Sequence, residues 1–137
     1  MKEKTSISTI MTADVFSIDS KQQLLEAHTI INKHKIRHLP VVSNDKIVGM
    51  LSKTDIDKAS FIAAFDEEEI NTAIFENLTI EQVMTKKIKC VQESDTIADV
   101  ANLLSKYEFH AVPVLRGEKL VGIVSTTDLI NYLVSLI

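Results

Sequence analysis

Apolar positions recur along the chain in one order, twice. Ser20 and Gln23 have the spacing of a capping box, and Leu24, Leu25, Ala27, Ile30 and Ile31 follow at helical intervals. Ile97, Ala98, Val100, Ala101, Leu103 and Leu104 repeat the pattern. Pro40 and Pro113 end these helices and open strands over 39–42 and 112–115, because the residue before a proline is driven to extended backbone. The turns SNDK and RGEK lead into IVGML and LVGIV, whose unbroken apolar character predicts buried strands. Upstream, residues 15–18 and 88–91 supply one more strand each, so the predicted order is strand, helix, strand, strand, helix in both halves.

The two halves are an internal repeat. At an offset of 73, residues 7–55 lie over 80–128 without a gap and twelve of forty-nine positions are identical. Both prolines match, and so do Gly49 and Gly122, so the residues that constrain backbone geometry recur in register. A unit of about fifty residues is small for independent stability, which predicts that the copies share one core. We place the first repeat at 1–58, a connecting helical segment at 59–79 and the second repeat at 80–137. The connector carries Ile62, Phe65, Ile70, Ala73 and Ile74 around an acidic run, Asp66 to Glu69, and reads as amphipathic helix with a solvated turn. The final DLINYLVSLI has seven apolar residues among its last nine, too many for a helix with one wet face, so something should cover it.

Composition narrows the function classes. With 137 residues, 45% hydrophobic and 25% charged, the chain is an ordinary globular one rather than a disordered tail. A net charge of −4 lacks the basic excess that binding along a phosphate backbone needs, so nucleic acid is not an expected partner. Cys90 is the single cysteine, which excludes an internal disulfide and a Cys-based zinc site and fits a reducing cytoplasm. The start MKEKTSISTIMT has no apolar signal core, and no run approaches eighteen apolar residues, so neither a signal peptide nor a membrane span is expected.

The candidate chemistry lies in GMLSKTD and GIVSTTD, where a buried strand turns into a helix. Hydroxyls, helix N-terminal amides and a carboxylate converge there. Such a set can hold phosphate oxygens and accept both hydrogens of a ribose diol. The same residues also have the spacing of a helix cap, Ser52 to Asp55 and Ser125 to Asp128, and both readings stand at this level.

IMTADVFSI with KIRHLPVV and GMLSKTD, then VMTKKIKCV with FHAVPV and GIVSTTD, resemble the paired CBS domains of the Bateman module over nearly the whole chain. Small stand-alone proteins of the acetoin-utilisation type look most alike, with a similar IRHLPVV. The resemblance implies an α/β (α+β) fold: two β-α-β-β-α repeats related by pseudo-two-fold symmetry, with small mixed sheets packed against helices. It implies a non-enzymatic regulatory module, of the energy-sensing kind, that binds AMP, ADP or ATP in two clefts between the copies and modulates an unidentified partner. S-adenosylmethionine and NAD share adenosine and stay open. Carried over by position, Asp55 and Asp128 hold ribose hydroxyls, while Ser52, Thr54, Ser125 and Thr127 meet phosphates. Arg37 and His110 fall on the family's basic position before the proline. Thr12 joins the second copy's site and Thr85 the first's, and adenine is read by backbone near Val15 and Ile88.

The two sites differ in charge. Arg37, His38, Lys53 and His34 surround the first, against His110, Ala111 and Thr126 at the second, which favours more phosphates at the first. Lys33, His34, Lys35 and Arg37 also fit solvated cations in a helix's last turn. His34 and His38 are four apart but Pro40 follows at once, and no HExxH completes a metal set. GxGxxG, GxxxxGK[ST] and GxSxG are all absent, which leaves dinucleotide-enzyme, P-loop and hydrolase readings without their anchoring residues. Cys90 is expected to pack as a small hydrophobe. A homodimer burying the C-terminal helix is expected from its apolar count. The competing reading is a dimerising scaffold that keeps the fold without a nucleotide ligand; intact Ser, Thr and Asp in both copies speak against it.

Overall fold

The structure is a computed structural model that describes residues 4–64 and 78–137, without the side chains of 60–64. Its first repeat runs β1 (Ile18–Asp19), α1 (Leu24–His34), β2 (His38–Ser43), β3 (Lys46–Ser52) and α2 (Lys53–Ala64). A one-turn helix α3 (Ile80–Val83) precedes the second, which runs β4 (Val91–Gln92), α4 (Ile97–Lys106), β5 (Ala111–Arg116), β6 (Lys119–Ser125) and α5 (Thr126–Ser135). The fold is mixed α/β with two three-stranded mixed sheets, ordered β1-β2-β3 and β4-β5-β6. In each, a short parallel strand joins an antiparallel hairpin. Even the irregularities repeat: the hairpin register slips at Val41/Val42 and again at Val114/Leu115. At the hairpin tips the positive-φ residues are Asn44 and Asp45 in one repeat and Gly117 in the other, residue types that tolerate the left-handed region.

Two expectations about local structure are corrected. The predicted strands over 15–18 and 88–91 shrink to two residues each, because parallel pairing reaches only Ile18↔Val41 with Asp19↔Val42, and Val91↔Val114 with Gln92↔Leu115. Ser20 does not cap α1. Its N–H donates to the Val42 carbonyl at 2.9 Å, so it still belongs to the sheet edge, and the N-cap moves to Gln23, which makes no side-chain cap bond. The matching position in the second repeat is Thr96, which forms a complete capping box with Asp99.

The single shared core is corrected as well. The chain divides into two compact units, one of Phe16–Ile88 and the other of Lys89–Ile137 with the N-terminal segment through Val15. Each has its own cluster of buried residues. What makes so small a unit sufficient is an exchange of segments. Ile80, from the start of the second repeat, is fully buried among Ile31, Leu39, Leu51 and Ile56 of the first. Ile7, its repeat mate, is fully buried among Val100, Val112, Val114 and Val124 of the second. Each core is completed by a residue the linear repeat assigns to the other, which removes apolar surface that one copy would leave wet.

The connector reading reaches the described residues only in part. Its first residues, from Ala59, lie inside α2, where Ala59 is buried. Its acidic run and the residues from Phe65 to Ile74 lie outside the described residues. At the other end of the chain, Leu129 and Tyr132 pack on the second core. Ile130, Leu133 and Val134 on the same helix are 58%, 61% and 63% exposed. Among the described residues no helix is long and apolar enough to cross a membrane.

Candidate functional site

Both candidate sites are built where a hairpin's second strand becomes a helix. Ser52 ends β3 and its Oγ accepts the Asp55 N–H at 2.9 Å, while an Asp55 carboxylate oxygen accepts the Ser52 N–H at 3.1 Å. Ser125 and Asp128 make the same reciprocal pair at 3.2 and 2.9 Å. The capping geometry that the spacing allowed is therefore formed in both repeats. It fixes the rotamer of each aspartate with one carboxylate oxygen engaged, and it leaves both aspartates half-buried rather than sealed.

Backbone bonds gather the other candidates onto these turns. The Arg37 carbonyl accepts the Lys53 N–H at 2.7 Å, and the His110 carbonyl accepts the Thr126 N–H at 2.9 Å, so the basic position of each repeat is tied to the first residue of the helix. Arg37 and His110 are exposed, as are Thr54 and Thr127. Met50 and Thr85 exchange two backbone bonds of 3.0 and 2.9 Å, and Thr12 and Ile123 exchange two of 2.8 and 3.0 Å. Thr85 thus lies beside β3 two residues before Ser52, and Thr12 beside β6 two residues before Ser125. The structure brings Arg37, Ser52, Thr54, Asp55 and Thr85 into one compact unit and Thr12, His110, Ser125, Thr127 and Asp128 into the other.

The other cations of the first repeat are partly committed. Lys53 pairs with Asp57 at 3.6 Å across one turn, an exposed contact of small value. His34 stacks on Phe16 with ring centroids 3.9 Å apart. Lys33 and His34 occupy the last turn of α1, where the helix dipole favours positive charge, and Lys35 follows in the left-handed region as its C-cap. The ring pair escapes sequence reading because its repeat mates differ in type: Lys89 and Tyr107 stand at the same offset, with the ammonium 5.3 Å from the ring centroid. Among the described residues no group of His, Cys, Asp or Glu could hold a metal ion.

Cys90 stands next to β4 and is half-buried, and burial pushes its thiol above the usual range. Less thiolate is then present near neutrality than for a free cysteine. Iodoacetamide at pH 8 is expected to alkylate Cys90 more slowly in the folded protein than in urea; equal rates would show an open, reactive thiol.

A CBS domain family model matches residues 7–61 and 80–135. Among solved structures, the CBS domain pair of protein MJ0100, in complex with 5′-methylthioadenosine and S-adenosyl-L-methionine, superposes with a TM-score of 0.80 at 30% identity, covering 97% of this chain and 98% of that one. A Vibrio cholerae protein assigned to acetoin utilization gives 0.77 at 23% identity over 96% and 91% of the two chains, a likeness of fold. L-aspartate semialdehyde sulfurtransferase of Methanocaldococcus jannaschii is 32% identical over 127 residues, which are 91% of this chain but 22% of that relative. The chain likewise spans 24% of a homoserine O-acetyltransferase from Methanobrevibacter ruminantium at 28% identity. It shares with these enzymes a segment and not their length. With two matches that together take in most of its residues, the chain belongs to the CBS domain family.

Proposed function

We propose that the protein is a regulatory module that binds adenosine-containing ligands at two sites, one in each compact unit, and that occupancy alters how it holds a partner. The observation that carries this reading is the double arrangement just described: a half-buried aspartate held by its serine, with an exposed threonine, an exposed Arg or His and an exchanged threonine brought close to the same turn. A cap alone needs only the serine and the aspartate. Asp55 and Asp128 keep one carboxylate oxygen for a ribose diol, Thr54 and Thr127 with Arg37 and His110 take phosphates, and Thr85 and Thr12 close the far side. The relative solved with 5′-methylthioadenosine and S-adenosyl-L-methionine supports an adenosyl group as the shared chemistry. Arg37 presents a planar guanidinium that can fork onto phosphate, where the second repeat has the imidazole of His110, so the first site favours ADP or ATP and the second AMP or a weaker ligand.

In this reading the molecule works as a homodimer through the exposed face of α5, catalyses no reaction itself, and acts in the cytoplasm. The domain limits of 1–58, 59–79 and 80–137 are part of the same proposal. A thermal-shift panel with AMP, ADP, ATP, S-adenosylmethionine and NADH tests it. A ligand at a hundred times its dissociation constant stabilises the native state by about 2.7 kcal/mol, which moves the midpoint by several degrees at this size. No shift with any adenosyl compound at millimolar concentration would favour the scaffold reading.

A further inference from the structure

Gly49 and Gly122 are matched in the repeat, yet neither has a positive φ, so the left-handed region does not explain them. Space does. A Cβ on Gly49 would overlap the Met84 sulfur and come within 3.0 Å of the Thr85 carbonyl oxygen. On Gly122 it would lie 2.6 Å from the Met11 sulfur and 2.9 Å from the Thr12 carbonyl oxygen. In each unit a methionine thus seats on a bare strand position, and the residue after it is the threonine that exchanges two backbone bonds with the strand. Those carbonyls are the acceptors of the Met50 and Ile123 N–H groups. The chain then passes into the other unit four residues later, at Lys89 after Thr85 and at Phe16 after Thr12.

We infer that Met84 and Met11 are positioning residues, each locked onto a strand glycine so that the following threonine stands at the ligand site, and that filling the site and fastening the chain passage beyond it are one coupled equilibrium. The inference rests on the adenosyl-ligand reading above. If the ligand touches both the helix turn and the exchanged threonine, it binds best when the passage is fastened, and by reciprocity it fastens the passage. Regulation then needs no contact with the partner at the ligand site itself, only a change in how firmly Val15/Phe16 or Ile88/Lys89 are held.

The test uses the full chain with Asp128→Ala, so that only the first site is intact. Gly49→Ala is expected to weaken AMP and ATP binding by about tenfold, in the range of such couplings, and to speed amide exchange at Met50 and Thr85. Met84→Ala alone, which removes the side chain seated on Gly49, is expected to produce the same two effects, and Met84→Leu, which keeps its bulk, to produce much less of either. In the mirror experiment, with Asp55→Ala in place of Asp128→Ala so that only the second site is intact, Gly122→Ala and Met11→Ala are each expected to do the same at Ile123 and Thr12. A Gly49→Ala or Met84→Ala variant that merely melts lower, with affinity and exchange unchanged, overturns the inference. If the parent binds none of the probes, the ligand reading is what fails; the exchange rates still accept or reject the interlock.

Discussion

Replacing Asp55 by Ala is expected to weaken adenine-nucleotide binding at the first site by about tenfold or more, and replacing Asp128 to do the same at the second. A ribose diol on an ionised carboxylate makes two charge-assisted hydrogen bonds, each worth about 1.5–3 kcal/mol. The structure changes what the empty protein should show. Since each aspartate already accepts its serine's N–H, the unliganded variants lose a cap contact as well, with a cost of about 0.5–2 kcal/mol. Stability alone therefore cannot distinguish a cap from a ligand site, and affinity must. Ser52→Ala and Ser125→Ala remove the hydroxyls that accept the Asp55 and Asp128 amides, so they lose similar stability while keeping the carboxylate. The expected pattern is comparable melting temperatures for the Ser and Asp variants of one repeat, with a much larger loss of affinity for the Asp variant. Calorimetric titration with ATP and AMP at each site reads it. Equal, unchanged affinities in both Asp variants would reduce these residues to helix caps.

The hairpins and the site turns are legible in the sequence because their geometry is imposed locally. Pro40 and Pro113 force extended backbone, Gly49 and Gly122 mark a crowded strand, and Ser-x-x-Asp closes a cap without help from elsewhere. The turn chemistry at SNDK and RGEK is local in the same sense. The failures concern what arrives from far along the chain. Ser20 looks like a cap three residues before Gln23, but the Val42 carbonyl takes its N–H first, and the helix starts late. Ile7 and Ile80 are identical and apolar, yet nothing in their spacing says that each is buried in the other repeat's core. The exchange of Thr12 and Thr85 came from family resemblance and not from periodicity. Phe16 against His34 was invisible for a related reason: a ring contact between a loop and a helix end has no period to detect.

A chain carrying Leu133→Asp and Val134→Asp is expected to sediment as a monomer of 15.3 kDa, where the parent sediments at about twice that mass at micromolar concentration. Helix α5 turns Leu129 and Tyr132 onto its own core and leaves Ile130, Leu133 and Val134 mostly exposed, followed by Leu136 and Ile137 at its end. Fully burying one such side chain is worth about 1.5–3 kcal/mol, and a two-fold interface counts every position twice. Two aspartates per protomer then place four carboxylates in a desolvated seam without partners, a penalty that association cannot absorb. The substitutions lie at exposed positions outside both candidate sites, so melting temperature extrapolated to low concentration and nucleotide affinity per site are expected to stay close to those of the parent. If the parent is already monomeric at tens of micromolar, the helix face is not a dimer seam. If the double variant stays dimeric, the copies meet elsewhere, and the exposure of α5 has to be explained by another occupant.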